Sequence, residues 1–270
     1  MGAIDERKYL RLNRFPTIWC PGCGIGIVLG AIIRAVARLG LDKDEVAMVS
    51  GIGCSSRMVG YVDFNTIHAI HGRALAFATG LKLARPEMSV IVVMGDGDAL
   101  AIGGNHFIQA ARRNIDLTAI VINNNIYGMT GGQYAPTTPR GATATTAPYG
   151  NLEPPFDIPA LAASAGAPFV ARSTVYHAIE MDRFIERGLR KKGFSVIEVL
   201  SDCPVFYGAL NEMGSAVDML RWYRDNTISV REAGKGEGKL VRGVLVDRDL
   251  PEYTEGYQRL VESLRGKGEG

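Results

Sequence analysis

The order of apolar and polar positions predicts helices that alternate with buried strands along most of the chain. Apolar residues recur at three- and four-residue spacing over residues 24–39, which is the pattern of a helix with one buried face. Residues 46–50 are almost wholly apolar, as in a strand that is covered on both sides of its sheet. The alternation continues with predicted helices near 73–84, 98–114, 158–165 and 176–191 and with predicted strands near 89–94, 117–122, 168–171 and 194–200.

This alternation indicates an α/β fold, in which a mostly parallel sheet carries helices on both faces. Ligands of such sheets bind outside the carboxyl ends of the strands. Three turns of polar character follow predicted strands, at residues 51–56 (GIGCSS), 95–98 (GDGD) and 123–125 (NNN). A long loop over residues 130–157, rich in Gly, Thr, Pro and Ala, is typical of a lid or a binding surface. We therefore expect the functional site at this edge of the sheet.

The character of the chain changes after Cys203. We assign residues 1–210 to the α/β domain and predict that residues 211–270 form a C-terminal arm. The arm would hold a helix over 212–224, a flexible linker over 233–239 (AGKGEGK), a short strand and a charged helix, with a frayed tail after Ser263.

Composition narrows the class of protein. The chain has 270 residues, of which 47% are hydrophobic and 21% charged, with a net charge of +2. These values exclude disorder over most of the length and show none of the basic excess of nucleic-acid-binding proteins. No apolar stretch approaches the roughly 20 residues that cross a bilayer. The start of the chain carries acidic residues and no apolar signal segment, so we expect no membrane attachment and a cytoplasmic protein.

The turns after two neighbouring strands have the residues of a magnesium and phosphate site. Asp96 can give a carboxylate oxygen, Asn124 an amide oxygen and Ile126 a carbonyl oxygen to a hard cation such as Mg²⁺. Glycines around Asp96 let the backbone approach a diphosphate closely. Taken singly, these turns also fit an ordinary strand-to-helix connection with an Asp cap and an Asn-rich turn. A dinucleotide fold fits less well, because the third glycine of its fingerprint is missing.

The chain has four cysteines, which are too few for a disulfide scaffold. Cys20 and Cys23 form a Cys-x-x-Cys before the first helix, and Cys54 and Cys203 each follow a predicted strand. A Cys-x-x-Cys alone fits a redox dithiol, a zinc site or an iron–sulfur site. Four cysteines on one rim of one sheet favour a single four-thiolate site, which either zinc or a cluster could occupy; the remaining alternative is four unrelated buried cysteines.

The motifs resemble a known family when they are taken together. GDG followed by NN is similar to the diphosphate-binding domain of thiamine diphosphate enzymes. The order of six motifs resembles the beta subunit of 2-oxoacid:ferredoxin oxidoreductases over about residues 10–210; they are 19–24 (WCPGCG), 51–56, 71–74 (HGRA), 95–98, 127–133 (YGMTGGQ) and 201–204 (SDCP).

The resemblance implies three cofactors and their residues. It implies Mg²⁺ on Asp96, Asn124 and the Ile126 carbonyl, and thiamine diphosphate beside it. It also implies one [4Fe-4S] cluster on Cys20, Cys23, Cys54 and Cys203. The implied contacts of thiamine diphosphate are Ile52, Gly53, Cys54, Ser55, His71, Gly72, Arg73, Ala74, Gly97, Asp98, Gly128 and Met129.

The resemblance also implies the reaction and the partners. The family decarboxylates a 2-oxo acid oxidatively, transfers the acyl group to coenzyme A and passes electrons through the cluster to ferredoxin. An alpha subunit would supply the pyrimidine-binding domain, so the isolated chain should be inactive, and no side chain need be catalytic without the cofactor. Residues 136–140 (PTTPR) and 151–157 (NLEPPFD) resemble the subgroup that converts 2-oxoglutarate to succinyl-CoA, for which Arg57 is a candidate ligand of the distal carboxylate.

Three alternatives remain at this stage. The substrate could be pyruvate or a branched or aryl 2-oxo acid. The protein could be a non-redox thiamine diphosphate decarboxylase with structural zinc, or an iron–sulfur electron-transfer module without catalysis.

Two further patterns in the sequence are weaker. His68 and His71 favour hydrogen bonding over a metal pair, and a basic helix near 183–192 favours a solvated face over a ferredoxin-docking surface.

Overall fold

Eight strands form one sheet in the computed structural model, which describes residues 5–265. Their order across the sheet is β2-β1-β3-β4-β8-β7-β10-β9. The strands are β1 (Val46–Ser50), β2 (Asn65–His68), β3 (Ser89–Gly95), β4 (Thr118–Asn123), β7 (Phe169–Thr174), β8 (Ser195–Leu200), β9 (Thr227–Ser229) and β10 (Leu240–Asp247); β5 (Ile126–Tyr127) and β6 (Gln133–Tyr134) form a separate hairpin. Every pairing in the large sheet is parallel except that of β10 with β7.

Helices cover both faces of this sheet. Along β1, Val46 and Met48 contribute to one apolar core, while Ala47 and Val49 contribute to another. The first core includes residues of α1 (Ile25–Leu39) and α5 (Ala178–Arg190), and the second includes residues of α2 (Ala74–Ala84), α3 (Gly104–Arg113) and α4 (Ile158–Ser164). The alternation of side chains along a strand thus directs successive residues into opposite layers. The predicted mostly parallel α/β fold with helices on both faces is confirmed.

The pairing of the central strands brings the functional turns to one edge. Ser50 of β1 pairs with Val93 of β3, Gly95 of β3 with Ile122 of β4, and Asn123 of β4 with Leu200 of β8. These four strands therefore end side by side. The turns that follow them carry Cys54, Asp96, Asn124 and Cys203.

Several local elements differ from the sequence prediction. The helix predicted over 98–114 is divided into a wider π-helical turn, Asp98–Ile102, and α3. Gly103 separates them, and an added Cβ there would lie 2.3 Å from the Asp98 carbonyl oxygen. The strand β2 and a 3-10 helix over Ser55–Gly60 were not predicted, because neither has the continuous apolar run of the inner strands.

Part of the predicted arm belongs to the sheet. After α6 (Ala216–Asn226), β9 and β10 extend the sheet beyond β7, and α7 (Tyr253–Arg265) follows. The linker predicted to be flexible begins within a 3-10 helix over Val230–Lys235. A domain that ended at residue 210 would therefore leave out β9 and β10, although both strands belong to the same sheet as β7. The predicted frayed tail begins within α7 and otherwise lies outside the described residues.

Helix α6 packs against two of the three turns that carry cysteines. An added Cβ at Gly22, which has a φ of +83°, would lie 2.5 Å from the Ala216 Cβ at the start of this helix. Farther along, the Tyr223 hydroxyl donates a hydrogen bond of 2.8 Å to the Ser201 carbonyl oxygen. Residues beyond 210 thus stabilise the surroundings of Cys20, Cys23 and Cys203.

Among the helices described within residues 5–265, none has the combination of length and apolar character that spanning a bilayer requires.

Truncation tests whether the C-terminal strands are part of the core. A chain that ends after Asn226 leaves the β7 edge without β10, so we expect it to aggregate or to melt roughly 10 °C or more lower, at about 2–4 °C per kcal/mol. A chain that ends after Leu250 keeps β10 and should lose much less. Thermal denaturation followed by circular dichroism measures both, and equal losses would contradict the assignment of β10 to the core.

Candidate active site

A cavity of about 460 Å³ opens at the carboxyl ends of β1, β3 and β4. It is lined by twelve of the residues predicted to contact Mg²⁺ or thiamine diphosphate: Ile52, Gly53, Cys54, Ser55, His71, Asp96, Gly97, Asp98, Asn124, Ile126, Gly128 and Met129. Three further predicted contacts, Gly72, Arg73 and Ala74, do not line it. The structure therefore brings the three predicted turns together around one space.

Asp96 lies at the floor of this cavity, directly after β3. Its Oδ1 accepts a hydrogen bond of 2.9 Å from the Gly97 N–H, and its Oδ2 accepts one from the Thr137 hydroxyl. Burial raises the pKa of Asp96 to about 6. Within the described residues this carboxylate forms no ion pair. A divalent cation would supply the charge that stabilises its ionised form, so its surroundings fit a Mg²⁺ ligand.

The Asn-rich turn has a fixed backbone conformation. Asn125 has a φ of +61°, in the left-handed region that Asn tolerates better than most residues. Its N–H donates to the Asn123 side-chain oxygen at 3.2 Å, and its carbonyl accepts a 2.6 Å hydrogen bond from the Thr138 hydroxyl. The turn thereby holds Asn124 and Ile126 against the same cavity as Asp96, as the predicted Mg²⁺ site requires.

Asp98 connects the turn after β3 with the turn after β1 and with the segment that leads into α2. Its Oδ1 accepts hydrogen bonds from the Gly72 N–H at 2.7 Å and from the Ile52 N–H at 3.3 Å, and it lies 2.8 Å from His71 Nδ1. Burial raises the pKa of Asp98. Its Oδ2 is buried and has no hydrogen-bond partner among residues 5–265. This carboxylate explains why position 51 is a glycine, because an added Cβ there would lie 2.1 Å from Asp98 Oδ2.

Two residues near Asp96 were not assigned from the sequence. Thr137 contacts Asp96 across 41 positions of the chain, and only its place in the PTTPR stretch drew attention to it. Tyr127 lines the cavity, and its hydroxyl donates to the Gly97 carbonyl oxygen at 3.3 Å. Burial raises the pKa of Tyr127 to about 12, so the phenol stays protonated and remains a donor.

All four cysteines line a second cavity of about 250 Å³. This cavity adjoins the first, because both are lined by Ile25, Cys54, Asn124, Gly128 and Met129. An added Cβ at Gly128 would lie 3.5 Å from the Cys203 sulfur and 3.7 Å from the Cys54 sulfur. The predicted clustering of the cysteines on one rim is therefore present in the structure, beside the predicted diphosphate site.

The surroundings of the cysteines distinguish among the possible uses of a four-thiol site. Burial raises the pKa of Cys23 to about 12 and that of Cys54 to about 11, whereas a reactive dithiol depends on a lowered pKa. Backbone N–H groups face two sulfurs, from Ile25 toward Cys23 and from Phe206 and Tyr207 toward Cys203. In residues 5–265, no three or more His, Cys, Asp or Glu side chains are grouped to hold a single metal ion. The raised thiol pKa values argue against a reactive dithiol, and four thiols around one cavity would suit either a zinc ion or a cluster.

Arg57 does not line either cavity. It is exposed on the 3-10 helix that follows Cys54, and its charge only partly offsets the rise that burial causes in the pKa of the Cys54 thiol. His68 is also exposed, on the edge strand β2, and lines neither cavity. Of Arg57, His68 and His71, which the sequence analysis singled out, only His71 contributes to the wall of the first cavity.

The basic helix end is distant from the cysteines. Lys191 pairs with Asp247 and Asp249, Arg187 pairs with Asp247, and Lys192 lies 3.6 Å from Asp116. These residues lie near the starts of β4 and β8, whereas Cys203 follows the end of β8, roughly 20 Å away along a strand of this length. The distance and the internal pairing favour a solvated face rather than a docking surface.

Substitution of Gly97 tests the diphosphate side of the site. An added Cβ would lie 2.1 Å from the Tyr127 ring, so Gly97→Ala must displace the ring or the turn. We expect the complex with the partner subunit to lose measurable thiamine diphosphate binding in isothermal titration calorimetry. Gly104→Ala is the matched control, because its added Cβ would contact nothing within 4 Å. Wild-type affinity in Gly97→Ala would contradict the assignment.

Comparison with known proteins gives one consistent family. The family described as "Thiamine pyrophosphate enzyme, C-terminal TPP binding domain" matches residues 51–199. The 2-oxoglutarate synthase subunit KorB of Methanothermobacter marburgensis is 51% identical over 265 residues, which cover 96% of this chain and 93% of the relative. The KorB subunit of Archaeoglobus fulgidus is 57% identical over 222 residues, covering 82% and 81%. A solved structure, the 2-oxoglutarate:ferredoxin oxidoreductase from Magnetococcus marinus with 2-oxoglutarate, coenzyme A and succinyl-CoA bound, matches with a TM-score of 0.89 at 35% identity and covers 98% of this chain and 92% of its own. The chain therefore belongs to the family of 2-oxoacid:ferredoxin oxidoreductase beta subunits that includes the KorB subunits of 2-oxoglutarate synthase.

Proposed function

We propose that the chain binds thiamine diphosphate with Mg²⁺ beside a [4Fe-4S] cluster and acts in the coenzyme A-dependent oxidative decarboxylation of 2-oxoglutarate to succinyl-CoA. The observation that carries the proposal is the common wall of the two cavities, formed by Ile25, Cys54, Asn124, Gly128 and Met129. Thiamine diphosphate supplies carbanion chemistry for removal of CO₂, and the cluster supplies a one-electron acceptor. Cys54 would bring these two functions together, because it lines both cavities.

The residues of the chain have distinct roles in this proposal. Asp96, Asn124 and the Ile126 carbonyl would hold Mg²⁺, and the backbone around Gly97 would lie against the diphosphate. Asp98 fixes the N–H groups of Gly72 and Ile52, which orients the turns that border the cofactor. Gly72 thus acts through Asp98 rather than from the cavity wall.

The chain would work in a complex. Its relatives are named as subunits, and the family resemblance implies an alpha subunit that carries the pyrimidine-binding domain. Exposed apolar side chains at the cavity, Ile52 and Met129, are suitable for such a contact.

We further propose that ferredoxin is the electron acceptor. Cys20 is the exposed one of the four cysteines and would mark the side from which electrons leave. We also propose that the complex is cytoplasmic.

The choice of 2-oxoglutarate follows the names of the most similar relatives. Four KorB subunits of 2-oxoglutarate synthases are 49–57% identical to this chain, and the similar solved structure contains 2-oxoglutarate. Arg57 remains our candidate for the distal carboxylate. Its exposure on this chain means that it would act at the boundary with the partner subunit.

The cluster is tested by colour and metal content. The complex purified without oxygen should be brown and contain iron and acid-labile sulfide bound to this subunit, and Cys203→Ala should lose both. Ser56→Ala, two positions from Cys54, is a suitable control, since the Ser56 hydroxyl has no hydrogen-bond partner in the described part of the chain. A colourless complex with one zinc per chain would support the structural-zinc alternative instead.

The substrate is tested by dye reduction with pyruvate, 2-oxoglutarate and branched 2-oxo acids, each with and without coenzyme A. We expect the highest kcat/KM for 2-oxoglutarate. Arg57→Gln should raise the KM for 2-oxoglutarate roughly tenfold or more, because it removes a charge-assisted hydrogen bond, and should leave the KM for pyruvate unchanged. Arg85→Gln, at an exposed arginine paired with Glu87, is the control. Equal changes in the KM for both substrates would remove Arg57 from the substrate site. Separately, an absence of thiamine diphosphate binding by the complex would favour the electron-transfer alternative.

A further inference from the structure

A buried ion pair lies within the sheet, outside the lining of both cavities. Arg172 of β7 and Glu198 of β8 occupy paired positions, and the Arg172 Nε donates to Glu198 Oε2. Only 1% of Glu198 and 8% of Arg172 are exposed. Burying two charges costs more free energy than burying apolar side chains of the same volume. A pair in this position therefore calls for a role beyond stability.

The pair continues directly to the Asn-rich turn. The second carboxylate oxygen, Glu198 Oε1, accepts a 2.8 Å hydrogen bond from the Asn123 side-chain amide. The oxygen of the same Asn123 amide accepts the Asn125 N–H. Glu198 thus sets the orientation of the Asn123 side chain, which in turn binds the Asn125 N–H. The two residues that flank Asn124 are therefore tied to each other and to Glu198.

The other end of the pair reaches the long loop. A terminal nitrogen of Arg172 donates to Asp157 Oδ1 at 2.9 Å, and the same oxygen caps α4 by accepting the Ala160 N–H at 3.2 Å. Asp157 ends the loop in which Thr137 contacts Asp96 and Thr138 contacts the Asn125 carbonyl. One chain of polar contacts therefore connects the Asn-rich turn with the loop that covers it.

We propose that Glu198, together with Arg172 and Asn123, is a positioning residue for the Mg²⁺ and thiamine diphosphate site. The contacts would hold the Asn124 amide oxygen and the Ile126 carbonyl in place for Mg²⁺, without touching it. Outer residues of this kind commonly alter metal affinity 10–100-fold when they are changed. The inference rests on the proposed function of the cavity.

A second ion pair with a buried carboxylate and a partly exposed arginine provides a control. Asp182 of α5 accepts two hydrogen bonds from Arg34 of α1, at 2.7 and 2.8 Å, and 3% of its side chain is exposed. It has the same chemistry as the Arg172–Glu198 pair and contacts no residue of the Asn-rich turn. Loss of this pair should therefore affect stability alone.

The test measures metal affinity separately from stability, in the complex with the partner subunit. Mn²⁺ replaces Mg²⁺ so that binding in the presence of thiamine diphosphate can be followed by electron paramagnetic resonance. Glu198→Gln offers one acceptor oxygen where glutamate offers two, and Asn123→Ala cuts the connection to the turn. We expect both to raise the Mn²⁺ Kd roughly 10–100-fold.

Asp182→Asn should lower the melting temperature but retain the wild-type Kd. Wild-type Kd values in both Glu198→Gln and Asn123→Ala, with only a lowered melting temperature, would reduce the network to a structural role and overturn the inference. If Glu198→Gln does not fold, Asn123→Ala decides. Failure of the wild-type complex itself to bind Mn²⁺ with thiamine diphosphate would instead contradict the proposed function.

Discussion

The parallel pairing of β1, β3, β4 and β8 is the constraint on which both cavities depend. These strands end side by side, so four turns that are far apart in the sequence share one edge. A register shift of one residue would reverse which side chains enter each layer and would move the turns relative to one another. The apolar cores on both faces fix the register, and the geometry of Asp96, Asn124, Cys54 and Cys203 follows from it.

Carboxylates then tie the turns together at that edge. Asp98 holds the N–H groups of Ile52 and Gly72, so that the turn after β1 and the entry to α2 are fixed to the turn after β3. Glu198 performs the same function from the opposite side, through Asn123. Each carboxylate accepts from groups on other elements, which makes the backbone around the cavity rigid without placing catalytic groups on it.

The local motifs and the fold class could be predicted from the sequence, because each depends on residues that are close together in the chain. Apolar runs identify the inner strands, and GDGD and NNN mark their ends. Contacts across long separations had no such signal. Thr137 meets Asp96 only through the path of the long loop, and a glutamate within a strand, as at Glu198, normally argues against burial. The edge strand β2 was missed because its four residues are partly exposed and polar at both ends.

The two cofactor sites share one electrostatic property, which is that buried acidic groups at each site require positive charge to ionise. Burial raises the pKa of Asp96 and Asp202 to about 6 and also raises the pKa of Asp98 and of the Cys23, Cys54 and Cys203 thiols. All these groups become anionic when they ionise, and the charges of Asp202 and of the neighbouring cysteines further raise the pKa of the Cys23 and Cys203 thiols. Positive charge stabilises the whole set, and Mg²⁺ on one side and iron on the other would supply it. A diphosphate adds negative charge and therefore increases the need for the cation. The same low-dielectric surroundings that disfavour the free carboxylates and thiolates would strengthen their binding to metal, because the attraction between opposite charges is larger where water is excluded.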